Sequence, residues 1–208
     1  MESPIISVNN ISIIYEKEEV IKDLSFQIKK GEKAVITGES GKGKSTILNS
    51  LLGFVPISNG EIFISDKKLV PDNILEIRNK VAWLPQETSL DFQNVNDIIY
   101  TPFTFKSNKH NFPSNSEVDQ ILNSLNISSK LLQNEIDEIS GGQKQRILLA
   151  SSLLLKKDIL IIDEPTSALD TENKKQITDF VMSQNNLTVL AVTHDIYWIE
   201  QSDKIIAL

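Results

Sequence analysis

One run, Gly38-Glu39-Ser40-Gly41-Lys42-Gly43-Lys44-Ser45, constrains this chain more than any other. It meets every fixed position of the pattern G-x-x-x-x-G-K-[ST]. That pattern cradles phosphate on backbone N–H groups when it joins a strand to a helix. The flanks satisfy this condition: Lys33 to Thr37 reads as a short strand, and Ile47, Leu48, Leu51 and Leu52 follow at helical spacing. The chain has 8 glycines, and most of them lie in this run and in a second stretch, Ile139-Ser140-Gly141-Gly142-Gln143. Bare backbone is concentrated where an anion can sit.

Within the loop, Gly38 to Ser45 and the following Thr46 surround the phosphates. Lys44 neutralises the β- and γ-phosphates, and Ser45 offers its hydroxyl to Mg²⁺. A second candidate group ends the apolar run Ile159-Leu160-Ile161-Ile162 in Asp163-Glu164. Ligands of open parallel sheets bind beyond the carboxyl ends of strands, so Asp163 is placed to hold Mg²⁺ and Glu164 to activate water.

His194 follows the strand Val189 to Thr193 and is either a polar loop residue or a γ-phosphate contact. Gln86, after the strand Lys80 to Leu84, carries the same two readings, as loop residue or as Mg²⁺ and water ligand. Tyr15 is either a base-stacking aromatic or a strand tyrosine. Ser140 is a good N-cap for the helix bearing Ile147, Leu148, Leu149 and Leu153. Capping does not require Gly141 and Gly142, so this turn, with Gln143, suits a phosphate arriving from another subunit.

Alternation of Leu24, Phe26 and Ile28 with Ser25, Gln27 and Lys29 predicts half-buried strands at the start, and Gly60 to Ile64 predicts a further hairpin. From about residue 87 to 155 the texture becomes helical. Val118, Ile121, Leu122 and Leu125 form one apolar stripe behind a Ser114-Asn115-Ser116 cap, in an inserted helical subdomain. Strand–helix alternation then returns, with a helix near Asn173 to Gln184 and strands at Ile159 to Asp163, Val189 to Thr193 and Lys204 to Ala207. Short apolar strands between helices predict a parallel sheet covered on both faces. The fold class is α/β.

A net charge of -7 and a pI near 4.9 argue against a nucleic-acid surface. With no cysteine there is neither a disulfide framework nor a thiolate metal site. The N-terminus lacks the pattern of a signal peptide, and no apolar run is long enough to span a bilayer. These features predict a cytoplasmic protein with no direct membrane insertion.

Taken together the motifs resemble the ATP-binding-cassette ATPases of ABC transporters, over almost the whole chain. Tyr15 stands in the position of the aromatic loop, Gly38 to Ser45 of Walker A and Gln86 of the Q-loop. Ser140 to Gln143 stands for the signature, Asp163-Glu164 for the end of Walker B, Ser167-Ala168-Leu169-Asp170 for the D-loop and His194 for the switch. Two positions depart from the family: Ile139 replaces the usual leucine, and Lys42 stands where a small residue is common. Lys42 can tighten phosphate binding or point to solvent, and the desolvation cost of a buried ammonium favours solvent.

The resemblance implies a P-loop NTPase (RecA-like) core, an N-terminal antiparallel β subdomain and the helical insert, all within one domain spanning 1–208. It implies ATP and Mg²⁺ as cofactors, with Glu164, His194, Gln86 and Lys44 catalytic, and Ser45, Gln86 and Asp163 at the metal. It also implies a homodimer on ATP binding, in which Ser140 and Gly142 close over the other subunit's ATP. A separate transmembrane permease would hold the chain at the cytoplasmic face of the membrane. Phe92, Tyr100, Phe103, Phe105 and Phe112 crowd one segment of the insert, as either permease docking surface or subdomain core. Asn173-Lys174-Lys175, Asn96 to Phe103 and Asp203 to Ile206 are similar to small ATPases of metal or iron exporters. The alternative is a soluble cassette ATPase serving a cytosolic assembly such as an iron–sulfur scaffold. A P-loop kinase or GTPase accounts for neither the signature nor the D-loop. The short remainder after the last strand predicts no C-terminal regulatory domain.

Overall fold

The computed structural model describes residues 3–15, 18–86 and 92–208. The stacking expectation for the Tyr15 side chain, and the start of the helical segment at Glu87, lie outside the described residues. Five parallel strands form the central sheet in the order β6-β7-β8-β3-β9. They are β3 (Lys33–Thr37), β6 (Val81–Leu84), β7 (Ile159–Asp163), β8 (Thr188–Val192) and β9 (Lys204–Ala207). A second, antiparallel sheet has the order β2-β1-β4-β5, from β1 (Ile6–Tyr15), β2 (Glu18–Ile28), β4 (Asn59–Ile64) and β5 (Lys67–Lys68).

Side chains on successive strand residues point to opposite faces, and both faces of the parallel sheet are dry along its central strands β3, β7 and β8. Ala34, Ile36, Ile159, Ile161, Leu190 and Val192 face the antiparallel sheet and α1 (Lys44–Leu51). Val35, Leu160, Ile162, Val189 and Ala191 face the other way. There they meet α5 (Gly141–Leu154), α6 (Thr171–Met182) and Trp198 of α7 (Ile196–Gln201). This explains why the strands read as unbroken apolar runs, whereas β2 alternates.

The helical segment contributes α3 (Val95–Tyr100), α4 (Asn115–Ser124) and α5, joined by 3₁₀ turns. Ser114 caps α4 in a capping box with Glu117, and Val118, Leu122 and Leu125 bury the stripe while Ile121 is partly buried. The crowded aromatics divide. Phe103 is buried, Phe92 and Tyr100 pack partly against the same core, and Phe105 and Phe112 are 61% and 58% exposed.

Sequence periodicity misplaces two details. Lys80 closes α2 (Ile74–Lys80) instead of opening β6. Helix α7, with only six residues, is too short to display a period, although Asp195 caps it with bonds from the Tyr197 and Trp198 N–H groups. Among the described residues no helix is long and apolar enough to cross a membrane.

Candidate functional site

Beyond the carboxyl ends of β3, β7 and β8 the sheet presents its polar residues together. β8 lies between β3 and β7 in the sheet, so the loop after β3, the carboxylates ending β7 and the residues after β8 share one rim. Gly41 and Gly43 adopt left-handed backbone, at φ 81° and 80°. Gly43 is also packed against β2: a Cβ there would sit 2.5 Å from Val20 Cγ1, so the turn into α1 admits only glycine. Lys44, 8% exposed, bends back so that Nζ donates to the carbonyls of Gly38 (2.9 Å) and Glu39 (2.8 Å). Ser45 is exposed and Thr46 partly buried on the first turn of α1. Lys42 points outward, 58% exposed, with its ammonium 3.9 Å from the Glu39 carboxylate.

Asp163 is buried at the end of β7, and its Oδ1 has no hydrogen-bond partner. Burial pushes its pKa above the ordinary value, opposed by the Ser45 hydroxyl and the Lys44 ammonium that face it. A buried carboxylate oxygen without a partner, beside a hydroxyl and an ammonium, fits a cation that brings phosphate with it.

Glu164 holds a left-handed backbone at φ 52°, uncommon for a residue with a side chain and costing about 1–3 kcal/mol. Two elements impose it. Its N–H donates to the Val192 carbonyl at 2.8 Å, and its carbonyl accepts from Gln145 Nε2 at 2.8 Å. Thr193 Oγ1 donates to Glu164 Oε2 (3.2 Å), and His194 Nε2 lies 3.8 Å from Oε1. Thr193 also accepts from the Asp195 N–H, and Asp195 accepts from Thr166 Oγ1 at 2.9 Å, joining the loops after β7 and β8.

Ser140 caps α5 in a capping box with Gln143, accepting from its N–H at 3.2 Å and receiving the Gln143 carboxamide on its own N–H at 2.8 Å. A cavity of about 160 Å³ separates this turn from Gln86 and is lined also by Lys144, Gln145, Ser167 and Ala168. No hydrogen bond among the described residues joins the Ser140–Gln143 turn to the Gly38–Thr46 loop.

The rim therefore brings Gly38–Thr46, Asp163, Glu164 and His194 together, whereas Gln86 and, of the Ser140–Gln143 turn, Gly141 line a neighbouring cavity. Sequence reasoning missed Thr193 and Gln145. Position beside His194 could have flagged Thr193. Nothing in the sequence flags Gln145, because its bonds cross from α5 to the loop after β7.

Comparison with known proteins agrees with this geometry. The family model described as "ABC transporter" matches residues 21–167. The energy-coupling factor transporter ATP-binding protein EcfA1 of Staphylococcus aureus is 31% identical over 215 aligned positions, covering 100% of this chain and 79% of that protein. A post-hydrolysis dimer of the ATP-binding cassette MJ0796 bound to ADP and Pi superposes with a TM-score of 0.84 at 26% identity, over 98% of this chain and 94% of that one. The cbiO1 protein of Clostridium perfringens, part of the ABC transporter complex cbiONQ, gives 0.82 at 25% identity, over 99% and 85%. The chain belongs to the ABC transporter family, as an ATP-binding cassette ATPase.

Proposed function

We propose that this chain is the ATP-hydrolysing subunit of a transporter, working as a homodimer that drives a separate membrane permease. The observation that carries the reading is Glu164. It is held in a strained backbone at the end of β7, with Thr193 and His194 against its carboxylate and Lys44 on the same rim. That arrangement suits a general base for a water attacking the terminal phosphate.

In this reading the Gly38–Thr46 backbone binds the phosphates, and Lys44 exchanges its two loop carbonyls for phosphate oxygens. Glu164 takes the proton from the attacking water. Thr193 and His194 orient the Glu164 carboxylate, and His194, 58% exposed, is free to reach the γ-phosphate. Mg²⁺ fits beside the orphaned Asp163 Oδ1, where Ser45 and Asp163 would hold it and Gln86 would have to reach in from the neighbouring cavity. When bound it supplies positive charge against the phosphates. Tyr15 is proposed for the base.

The single ATPase domain of residues 1–208, with its helical subdomain over about 87–155, would pair head to tail. Ser140, Gly141, Gly142 and Gln143 of one subunit would then close over ATP on the other. Support comes from Gly141, which is exposed and has open space where a Cβ would be. Dimeric MJ0796 gives the precedent in a relative. Exposed Phe105 and Phe112 offer an apolar surface to the permease. Through it the chain would be peripheral on the cytoplasmic face of the membrane, with no nucleic-acid partner. None of the relatives compared is named for metal export or for a soluble scaffold, so the proposal stops at an ABC permease.

Glu164→Gln is the test. The variant should bind ATP and dimerise while turnover collapses, and tagged in its native cell it should co-purify a stoichiometric polytopic membrane protein in ATP. A soluble scaffold in its place overturns the transporter reading, and turnover within a few-fold of wild type overturns the base assignment.

A further inference from the structure

The carboxamide of Gln145 spans three groups on the loop that follows β7. Its Nε2 donates to the Glu164 carbonyl (2.8 Å) and reaches Ser167 Oγ (3.4 Å), and its Oε1 accepts from the Ala168 N–H (3.2 Å). Gln145 is on the second turn of α5, the helix that opens at Ser140-Gly141-Gly142. Nothing in α5 itself requires the carboxamide, since Gln145 is half-buried and its bonds all leave the helix. At the far end of these bonds stands the one site residue that combines a side chain with a left-handed backbone. A strained conformation persists only where its surroundings over-determine it.

We propose that Gln145 is a positioning residue for Glu164: its carboxamide holds the Glu164 peptide so that the carboxylate meets Thr193 and His194, and ties that posture to the helix carrying the Ser140–Gly142 turn. The proposal rests on Glu164 being the base. It makes the base of one site respond to movement of α5, the element on which the other subunit's nucleotide would press.

Two variants separate this from a structural role. Gln145→Leu removes every hydrogen bond. Gln145→Glu keeps the shape and the acceptor for Ala168 N–H but loses the donor to the Glu164 carbonyl. Both should lower kcat by about tenfold to a hundredfold, the scale of a small misplacement of a reacting group, with KM for ATP within about twofold of wild type. Combined with Glu164→Gln, they should leave the residual turnover unchanged, because residues acting as a unit are not additive. If Glu164→Gln collapses turnover while both Gln145 variants turn over like wild type, this inference alone fails. It also fails if KM rises at constant kcat, or if the variants cut the residual turnover of Glu164→Gln by the same factor. Wild-type turnover in Glu164→Gln itself removes the base assignment and this inference together.

Discussion

Gly141→Ala separates what this fold needs from what its function needs. A Cβ built on Gly141 meets nothing within 4 Å, and its φ is not positive. By the physics of a single chain the glycine is a poor choice. Alanine narrows the unfolded ensemble and favours helix, stabilising by about 0.4–1 kcal/mol where the native conformation accepts it. In a domain of this size that raises Tm by about 1–4 °C. If a phosphate held by the partner subunit lands on this turn, the added methyl overpacks the contact. Overpacking costs about 1–3 kcal/mol, or about five- to 150-fold in turnover. Gly142→Ala is the matched control, because its Cβ would sit 2.9 Å from the Ala168 carbonyl and 3.3 Å from Leu169 Cδ2. That variant should lose turnover without gaining stability, since the loop after β7 must shift. Thermal melting, steady-state ATPase and ATP-dependent dimerisation in a Glu164→Gln background read the three consequences. A Gly141→Ala protein that melts higher and hydrolyses ATP like wild type refutes the phosphate contact. One that melts lower shows that the glycine serves the chain's own fold.

Lys44→Ala removes a nearly buried ammonium and its charged bonds, so ATP affinity should fall on the order of tenfold to a hundredfold by isothermal titration; unchanged affinity removes the phosphate role. Lys33, only 4% exposed at the opposite end of β3, donates to the carbonyls of Gly31, Gln184 and Leu187, and burial lowers its pKa despite Asp203 nearby. Lys33→Ala strips that donor from Gly31 and Leu187, while Gln184 still accepts from the Leu187 N–H. Denaturant unfolding should report a loss of about 2–6 kcal/mol, with kcat per folded molecule unchanged. The Lys156 ammonium and the Ser114 cap hold the Glu117 pKa down to about 2, against an ordinary 4.5. A depressed carboxylate contributes stability above its unfolded pKa and loses it as pH falls. Hydrogen exchange in α4 should therefore accelerate between pH 4.5 and 2, beyond the intrinsic rate, and Glu117→Gln should abolish that dependence.

The parallel sheet was legible because its central strands are dry on both faces. Unbroken runs such as Ile159 to Ile162 and Val189 to Val192 have no other economical reading in a chain that alternates with helices. The glycine loop was legible because a left-handed Gly43 pressed on Val20 leaves no latitude for another residue, so its physics is written in one position. Helix α4 declared itself through a capping box and a stripe. Helices α2 and α7 did not, because 7 and 6 residues make no more than two turns and show no period.

The site was legible only to the depth of residues that touch a ligand. Asp163 and Glu164 stand at a strand end, which is a local fact, but the posture that aims Glu164 comes from three residues in two regions far from it in sequence. Val192 lies on the neighbouring strand, Gln145 on the helix before β7, and Thr193 after β8. None of these carries a pattern of its own, since a glutamine in a helix and a threonine ending a strand are ordinary residues. Their meaning arises only when the β7–β8 pairing sets Asp163 against Val192. Motif residues supply the chemistry, and the unremarked bonds across the sheet decide where that chemistry is aimed. A cassette with every motif intact should therefore still lose turnover when Gln145 can no longer hold the Glu164 peptide.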